Sequence, residues 1–406
     1  MATFDDLEVD EACEKILDHL ARRFSPSTID VTSETALGRV CAEDVFATAP
    51  SPLEPRSIMD GYALHMNGDI EVGGKIEVVG ESAAGRPFEG ALTAGQAVRI
   101  STGAVVPASA SVVVAQENTS REASNLLVDN ARDLRDGGFI RAAGSDWAGQ
   151  SLRLSRGMTL GPAEVAMLLA LDRPTVSVVT RPSVAIICTG DELLGPSDPY
   201  RAGAVRCSNG PMLAHQASAA GGEVIMNTML GDDPAHLVDA LQQAECADLI
   251  LTSGGVSVGD HDHVHAALEE RGAEVIFRRV RMRPGRPVTV AATARSLVCA
   301  LPGNPASSWV TFELLARPAL RSMAGVSRER SQLLQVNLPL AEEVAPLKTR
   351  VLFLRAIIRE GATHPLPQQA SGNLASITGV DCLIRVPAGE ALIPRGTHLL
   401  TYLVES

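Results

Sequence analysis

The feature of this sequence that most limits its fold is the alternation of strand-like and helix-like segments between residues 183 and 325. Short apolar runs bounded by turn residues predict strands, and longer segments with helical periodicity predict the helices between them. In chain order we predict a strand over Ser183–Cys188, a helix over Asn209–Ala220, a strand over Glu223–Met229, a helix over Pro234–Ala244, a strand over Asp248–Thr252, a helix near Asp262–Arg271, strands over Glu274–Arg278, Val288–Ala292 and Leu297–Leu301, and a long helix after Pro305. Such alternation with short turns is typical of a doubly wound, mostly parallel α/β sheet.

The segments on either side of this region have other patterns. Apolar residues recur at helical spacing over residues 8–24, which predicts an amphipathic helix. Residues 48–146 carry short β-type runs separated by Gly, Pro and Asn, and several runs between 331 and 406 also predict strands. A chain of 406 residues exceeds the ~100–200 that one domain usually holds, so we predict a multidomain protein of α/β and β type.

Composition excludes several classes of protein. The net charge of −13 disfavours a nucleic-acid binder that is held by phosphate contacts. A hydrophobic fraction of 45% with 20% charged residues excludes a disordered chain. No apolar run reaches the ~18–20 residues of a membrane span, and the acidic start lacks the pattern of a signal peptide, so we expect a cytoplasmic protein.

The cysteines show no pairing pattern. Neither a disulfide framework nor a thiolate zinc site is indicated, because no two of them form a Cys-x-x-Cys pair. We expect most of them to be small buried residues. They are Cys13, Cys41, Cys188, Cys207, Cys246, Cys299 and Cys382.

Acidic residues and glycines are concentrated in the loops that follow the predicted strands. Asp191 and Glu192 follow the first strand, Asp232 and Asp233 follow the second, and a Gly-rich acidic run over residues 253–262 follows the third. Ligands of open α/β sheets bind outside the carboxyl ends of the strands. Backbone N–H groups of Gly-rich turns hold phosphate, and carboxylates bind Mg²⁺ through oxygen. We therefore predict a phosphate ligand together with a hard metal ion.

Each of these loops also has a structural explanation. Asp232 and Asp233 precede Pro234, and for that dipeptide alone helix capping is the commoner role. Gly-rich turns are common, and a second such turn, residues 301–305, opens a predicted helix where it could also hold phosphate. The coincidence of these loops in one sheet is what favours a binding site.

A cluster of arginines lies beside the same predicted sheet. The residue pattern supports equally a solvated edge strand and a clamp for an anionic ligand. The clamp is best supported at residues 283–287, since Pro and Gly constrain that loop and a guanidinium binds oxyanions in a fork. The arginines are Arg278, Arg279, Arg281, Arg283 and Arg286.

His261, His263 and His265 alternate, which on a strand would suggest zinc. We expect a helix here, where this spacing scatters the imidazoles, so surface histidines are favoured. The sequence contains no Gly-x-Ser-x-Gly, Walker or Gly-x-Gly-x-x-Gly motif, so hydrolase-triad, P-loop and Rossmann functions have no support.

A series of motifs resembles one protein family. Ser51–Leu64, with Met-Asp-Gly-Tyr-Ala, resembles the signature of the molybdopterin molybdenumtransferase family, which is related to the gephyrin E domain. The other motifs that agree in order are Ile100–Ala104 with Val106-Pro107, Gln116-Glu117, Arg141–Asp146, Thr189–Leu193, Ser208-Asn209, Gly231–Pro234, Ser253–Gly259 and Leu301–Ser307.

The resemblance implies a four-domain, L-shaped homodimer. It places an elongated N-terminal domain at residues 1–47 and 147–180, a β-rich domain at 48–146, an α/β molybdopterin-binding domain at 181–327 and a C-terminal β-barrel-like domain at 328–406. The implied reaction is insertion of molybdate into adenylylated molybdopterin, with Mg²⁺ and with release of AMP. The active site would lie between the third domain of one subunit and the second domain of the other, and contact with a molybdopterin adenylyltransferase is a further implied interaction.

The resemblance also implies roles for individual residues. Implied metal ligands are Asp191, Glu192 and Asp232, and the implied catalytic residues are Glu192, Asp232, Asp262, Asp60 and Thr102, the last two from the partner subunit. Implied cofactor-binding residues are Arg141 and Asp146 of the partner subunit's second domain, and Ser253, Gly254, Gly255, Arg283, Arg286, Pro302, Gly303, Asn304 and Pro305.

The chain departs from the family pattern at a few positions. Glu54 and Pro55 stand where many relatives have an aromatic and an acidic residue, and Arg283 and Arg286 stand where lysines are frequent. Residues 260–263 replace a segment that often ends in Asp-Tyr, so both Asp260 and Asp262 remain candidates for the functional acid. Two alternatives remain: adenylylation of molybdopterin by ATP, and a gephyrin-like scaffold without catalysis.

Overall fold

The computed structural model describes residues 6–66, 72–130, 132, 134–255 and 263–404. The chain divides into two compact units. The first, which we name the α/β unit, comprises Met1–Glu43, Arg156–Val165 and Pro174–Ser406. The second, the β-rich unit, comprises Asp44–Ser155 and Ala166–Arg173. Within the described ranges, no helix is both long enough and apolar enough to cross a membrane.

The helices over residues 9–23, 209–219, 234–244 and 263–270 begin and end close to the predicted limits. The described helices are α1 (Val9–Arg23), α2 (Pro162–Ala170), α3 (Asn209–Ala219), α4 (Pro234–Ala244), α5 (His263–Glu270), α6 (Pro305–Thr311), α7 (Arg317–Met323) and α8 (Arg328–Ser331).

The strands of the first half of the chain are short. They are β1 (Thr28–Thr32), β2 (Val45–Phe46), β3 (Arg56–Ser57), β4 (Gly61–Leu64), β5 (Lys75–Ser82), β6 (Gln96–Ile100), β7 (Val112–Ala115), β8 (Thr119–Glu122), β9 (Asn125–Val128), β10 (Ile140–Arg141), β11 (Leu152–Leu154) and β12 (Thr175–Val179). Those that follow are β13 (Ser183–Thr189), β14 (Leu193–Leu194), β15 (Val205–Arg206), β16 (Glu223–Leu230), β17 (Leu249–Ser253), β18 (Glu274–Arg278), β19 (Met282–Arg283), β20 (Thr289–Ala292), β21 (Leu297–Leu301), β22 (Gln335–Pro339), β23 (Val351–Arg359), β24 (Ala362–Pro365), β25 (Cys382–Val386) and β26 (His398–Leu403).

The main sheet of the α/β unit has the strand order β16-β13-β17-β21-β20-β18. β16, β13, β17 and β21 pair in parallel, β20 pairs antiparallel with β21, and the edge strand β18 pairs antiparallel with β20. After β13 the chain moves outward through α3 to β16 and then returns through α4 to β17 on the other side of β13. The direction of winding therefore reverses between β13 and β17, and such a reversal leaves a crevice at the carboxyl ends of those strands.

Both faces of this sheet are buried, as the predicted doubly wound fold requires. Val184 and Ile186 pack into one core with α1, α3 and the 305–323 helical segment. Ala185 and Ile187 point to the opposite face, into a second core with α4 and α5. Alternate side chains of a strand face opposite ways, so β13 is apolar throughout its length.

The long helix that we predicted after Pro305 is interrupted. A π-helical turn, Phe312–Ala316, separates α6 from α7. Pro318 lies in the first turn of α7, and proline lacks the N–H of a regular helix and clashes with the carbonyl four residues earlier. A wider turn before it relieves that clash.

A second sheet of the α/β unit has the order β19-β23-β25-β26-β22, with β24 beside β23. The short strand β19, from the arginine-rich segment, pairs in parallel with β23. This pairing joins the loop after Arg283 to the C-terminal part of the chain.

The β-rich unit is built on a sheet with the order β7-β4-β6-β5-β9-β8. Its cores contain alternate residues of β4 and β7, with Tyr62 and Val114 on one face and Ala63 and Val113 on the other. The pairs β3–β10 and β2–β11 lie outside this sheet. The predicted boundaries at residues 47, 146, 180 and 327 stay predictions.

Candidate active site

A cleft of about 650 Å³ lies at the carboxyl ends of the parallel strands of the α/β unit. It is at the reversal between β13 and β17, where an open α/β sheet binds its ligand. Many of the predicted site residues line it, namely Glu192, Asp232, Ser253, Gly254, Gly255, Pro302, Gly303, Asn304 and Pro305.

The acidic side of the cleft is formed by two loops, each of which donates a backbone N–H to a carboxylate of the other. The N–H of Asp232 donates to Oδ1 of Asp191 at 3.0 Å, and the N–H of Asp191 donates to Oδ2 of Asp232 at 3.3 Å. Asp191 therefore fixes the loop of Asp232, whereas Glu192 and Asp232 line the cleft. Asp233 has the capping role instead, since its Oδ1 accepts from the N–H of Ala235 at 2.9 Å.

The Gly-rich turn after β17 needs its glycines. Gly254 has a φ of +100° and Gly255 a φ of +65°. A Cβ on Gly254 would lie 2.4 Å from the carbonyl oxygen of Thr189. A Cβ on Gly303, in the opposite turn, would lie 3.4 Å from Cα of Gly254. The two turns approach so closely that only backbone lies between them. The N–H of Gly254 donates to the carbonyl oxygen of Leu301 at 3.3 Å, so the N–H groups of Gly255 and Gly303 are the donors of these turns that a phosphate could engage.

Asn209, which the sequence predicted as the first residue of a helix and as part of the Ser208-Asn209 family motif but not as a site residue, ties these turns together. Its Nδ2 donates to Oγ of Ser253 at 2.8 Å and to the carbonyl oxygen of Gly303 at 2.7 Å. Asn209 and Thr189 are both buried, yet Oδ1 of Asn209 and Oγ1 of Thr189 have no hydrogen-bond partner among the described residues. Leaving a buried polar atom unpaired costs about 1–3 kcal/mol, so both atoms are suited to meet a ligand.

The arginine cluster separates into paired and unpaired members. Arg286 donates twice to Oδ2 of Asp6, at 3.0 and 2.7 Å, and Arg281 lies 3.5 Å from Glu8. Arg278 lies 3.7 Å from Glu269. Arg283, by contrast, forms no ion pair within the described part of the chain and lines a neighbouring pocket of about 240 Å³.

That pocket is strongly positive. Arg283, Arg286 and Arg350 line it. Arg355 lies nearby and is almost completely buried, with Nη2 donating to Oγ of Ser376 at 3.1 Å. Burial, and then repulsion from Arg283, lowers the pKa of the Arg355 guanidinium to about 10. Gly285 closes the loop, because a Cβ there would lie 2.3 Å from Oγ1 of Thr311.

The structure places the remaining predicted residues of the β-rich unit in one connected surface. Oδ1 of Asp60 accepts from the N–H of Thr102 at 2.7 Å and from its hydroxyl at 3.0 Å. These hydrogen bonds, the backbone one first, lower the pKa of the Asp60 carboxyl. Arg56 donates to the carbonyl of Gly103 at 2.8 Å and pairs with Arg141 across β3 and β10. Arg141 in turn forms an ion pair with Asp146.

The zinc alternative has no support in the described segments. His263 and His265 lie on α5, as expected, and Nε2 of His265 lies 2.8 Å from Oε1 of Glu269. No group of three or more His, Cys, Asp or Glu side chains in those segments is arranged to hold a metal ion. His261, Asp260 and Asp262 lie outside the described residues.

Three parts of the chain match known protein families. Residues 7–171 match the MoeA N-terminal region (domain I and II), residues 185–322 match a probable molybdopterin binding domain, and residues 337–404 match the MoeA C-terminal region (domain IV). The predicted series of domain types is therefore confirmed, including a central α/β domain.

Relatives match over nearly the full length. The molybdopterin molybdenumtransferase of Nostoc sp. is 33% identical over 383 residues, which cover 90% of this chain and 86% of the relative. The molybdopterin molybdenumtransferase of Staphylococcus aureus (strain MSSA476) is 30% identical over 407 residues, with 98% and 96% covered. The crystal structure of the molybdopterin biosynthesis moeA protein of Pyrococcus horikoshii OT3 superimposes with a TM-score of 0.84 at 26% identity, covering 98% of this chain and 100% of that one.

Proposed function

The chain belongs to the molybdopterin molybdenumtransferase family, and from that premise we propose that it inserts molybdate into adenylylated molybdopterin and releases AMP. The phosphoanhydride between molybdopterin and AMP breaks in this reaction, and molybdenum becomes bound by the dithiolene sulfurs. The sulfur chemistry belongs to the cofactor itself. The protein's task is to bind, orient and neutralise charge.

One observation carries this proposal: the cleft joins carboxylates and glycine turns at the reversal point of the sheet. Its volume of about 650 Å³ lies within the ~300–1,000 Å³ of small-molecule sites. A substrate with a phosphoanhydride needs N–H donors for its phosphates and a means of balancing their charge. Both are present within one cleft.

The turns of the cleft are suited to hold the phosphates. The N–H groups of Gly255 and Gly303 would face the phosphate oxygens, in turns whose close approach an added side chain at Gly254 would block. Oγ1 of Thr189 could donate to the same ligand, and Oδ1 of Asn209 could accept from a ligand N–H or O–H. Asn209 fixes the positions of the two turns relative to each other through its hydrogen bonds to Ser253 and Gly303.

We propose Glu192 and Asp232 as the residues that hold Mg²⁺. Mg²⁺ keeps several waters and is often bound by one or two carboxylates plus substrate phosphates. Two exposed carboxylates beside a phosphate cradle fit that donor set without a third protein ligand. When bound, the ion would offset negative charge on the anhydride oxygens.

The positive pocket beside the cleft is suited to molybdate. Arg283 there has no carboxylate partner among the described residues, and Arg355 is a second cation close behind it. A guanidinium binds oxyanions through two parallel N–H donors. Charge and geometry therefore support the anion-clamp hypothesis for Arg283, whereas Arg286 is engaged by Asp6.

We further propose a cytoplasmic homodimer in which Asp60, Thr102, Arg141 and Asp146 act on substrate held by the partner subunit. The connected polar surface formed by these residues supports a shared role. Light scattering should give twice the chain mass of 42.6 kDa. Mixed dimers of Asp60→Asn and Asp232→Asn subunits should regain part of the activity that each homodimer lacks. Contact with a molybdopterin adenylyltransferase would be tested by co-purification.

The decisive experiment uses two neighbouring acids. Asp232→Asn removes a carboxylate from the cleft, while Asp233→Asn removes the same charge from a capping position where Asn caps about equally well. Purified protein, adenylylated molybdopterin, Mg²⁺ and molybdate are combined, and AMP is followed by chromatography. Active cofactor is measured by reconstituting an apo-molybdoenzyme.

We expect Asp233→Asn to behave as the wild type and Asp232→Asn to lose AMP release. Equal activity of the two variants would refute the role of Asp232. ATP-dependent adenylylation of molybdopterin by the wild-type protein would instead make that activity the function. Tight binding of adenylylated molybdopterin without AMP release would indicate a scaffold.

A further inference from the structure

Two cysteines line the cleft that neither the motifs nor the proposed reaction uses. Cys188 is the penultimate residue of β13 and is buried. Cys207 directly precedes Ser208, the cap of α3, and is partly exposed. Both line the cleft, and the sulfur of Cys188 lies against Gly210, 3.5 Å from the place of a Cβ on that residue, where it meets the thiol of Cys207. They are 19 positions apart in the sequence, so only the fold brings them together.

The surroundings of the two sulfurs differ. The sulfur of Cys207 accepts hydrogen bonds from the thiol of Cys188 and from the N–H groups of Gly210 and Asn209 at the start of α3. These bonds, that of Cys188 first, lower the pKa of Cys207 to about 6, although burial and Glu192 oppose them. The hydrogen bond to Cys207 and burial raise the pKa of Cys188. The arrangement is a thiolate at a helix N-terminus with a protonated thiol beside it, which favours thiol–disulfide exchange.

Solvent exposure also indicates Cys207 as the cysteine of the cleft that reacts first. Cys246 is exposed, Cys207 is partly exposed, and the other cysteines, including Cys188, are buried. An oxidant that enters the cleft therefore meets Cys207 first and finds Cys188 next to it.

We propose that Cys207 and Cys188 form a thiol–disulfide modification site in the cleft, with Cys207 as the attacking thiolate and Cys188 as the resolving thiol. The oxidant is a small disulfide of the glutathione class. Cys207 attacks one of its sulfurs, forms a mixed disulfide and releases one small thiolate. Cys188 then gives up its proton to solvent and attacks the sulfur of Cys207, which forms the internal disulfide and releases the second small thiolate. Two protein thiols are oxidised and one small disulfide is reduced.

The bond would act on the cleft through Asn209. A disulfide holds its sulfurs about 2.05 Å apart, closer than hydrogen-bonded thiols. Cys207 is two residues from Asn209, whose side chain holds Ser253 and Gly303 in register. Drawing Cys207 towards β13 would shift that segment, so the oxidised protein binds its phosphate ligand less well. The disulfide itself does not depend on the proposed function, but its effect on AMP release rests on it.

The test uses the full chain with Cys246→Ser, which removes the exposed thiol outside the cleft. The protein is incubated with glutathione disulfide and analysed by intact mass and by peptide mapping. We expect loss of two hydrogen atoms and a linked peptide pair that contains Cys188 and Cys207. Cys188→Ala should instead retain glutathione on Cys207, and Cys207→Ser should remain unmodified. AMP release should fall in proportion to the disulfide fraction and return with dithiothreitol.

Peptide mapping of the unsubstituted protein gives the same answer should a variant fold poorly. An unmodified Cys207, or a glutathione adduct on Cys207 that never passes to Cys188, would overturn the proposal. Formation of the disulfide with unchanged AMP release would overturn its effect on the cleft while leaving the site. A protein without AMP release in its reduced form would contradict the proposed function, and the mass measurement would still decide the disulfide.

Discussion

Adding one methyl group at Gly254 should damage the protein more than the same change at Gly272, a positive-φ glycine with open space around it. The φ of +100° strains an L-residue, which costs about 1–3 kcal/mol. The new Cβ would lie 2.4 Å from the carbonyl oxygen and 2.8 Å from Oγ1 of Thr189. Thr189 ends a strand in the centre of the sheet and cannot move freely, so overpacking adds about 1–3 kcal/mol. The sum for Gly254→Ala is about 2–6 kcal/mol.

Gly272→Ala is the matched control. Gly272 also has a positive φ, +66°, but no atom lies within 4 Å of its added Cβ. Only the backbone strain of about 1–2 kcal/mol is then expected. The difference between the two variants isolates the contact with Thr189.

The two variants are compared by urea unfolding followed by circular dichroism and by calorimetric titration with adenylylated molybdopterin. We expect Gly254→Ala to lose at least about 1 kcal/mol more stability than Gly272→Ala, and to lose ligand affinity as well. Equal losses of stability together with unchanged affinity would refute both the steric argument and the phosphate cradle.

Three further outcomes follow from single contacts. Asn209→Ala should cost about 1–3 kcal/mol in urea unfolding, because it leaves Oγ of Ser253 and the carbonyl of Gly303 without that donor. Thr102→Val should raise the pKa of Asp60 in an NMR titration, since it removes one of the two donors that lower it. The stability that Asp60 contributes is present above its unfolded pKa and is lost as pH falls through its folded pKa, so in this variant the loss should be smaller and should be complete at a higher pH. At pH 5.5, Cys207 with its pKa of about 6 should react with iodoacetamide roughly 20-fold faster than an ordinary peptide thiol, and equal rates would contradict the thiolate.

Much of the α/β unit could be predicted because the signals are local. The apolar run of β13 and the Asp-Pro start of α4 each depend on neighbours in the sequence, and both elements lie where they were predicted. The position of Glu192 and Asp232 at one cleft also follows from local patterns, since the carboxyl ends of parallel strands meet at one edge. The π-helical turn before α7 was missed, although Pro318 within the predicted helix was a visible signal.

The arginine cluster shows where local reasoning stops. The alternation of side chains along residues 278–286 could not distinguish a solvated edge strand from a clamp for an anionic ligand. The pairing of Arg286 with Asp6, 280 residues away, and of β19 with β23 decided that Arg286 has a carboxylate partner while Arg283 has none among the described residues. Contacts over such separations depend on how whole elements pack, which no window of sequence records.

The sequence by itself determined the kind of protein: an acidic, multidomain chain with a doubly wound sheet, carboxylates and glycine turns after its strands, and the motifs of the molybdopterin molybdenumtransferase family. Only the tertiary structure decided which groups meet. It placed Asn209 between two turns, separated the capping Asp233 from Asp232, and set the thiols of Cys188 and Cys207 side by side. Periodicity and turn propensity act over a few residues, whereas a hydrogen bond or a shared proton requires atoms from distant segments to approach within a few ångströms.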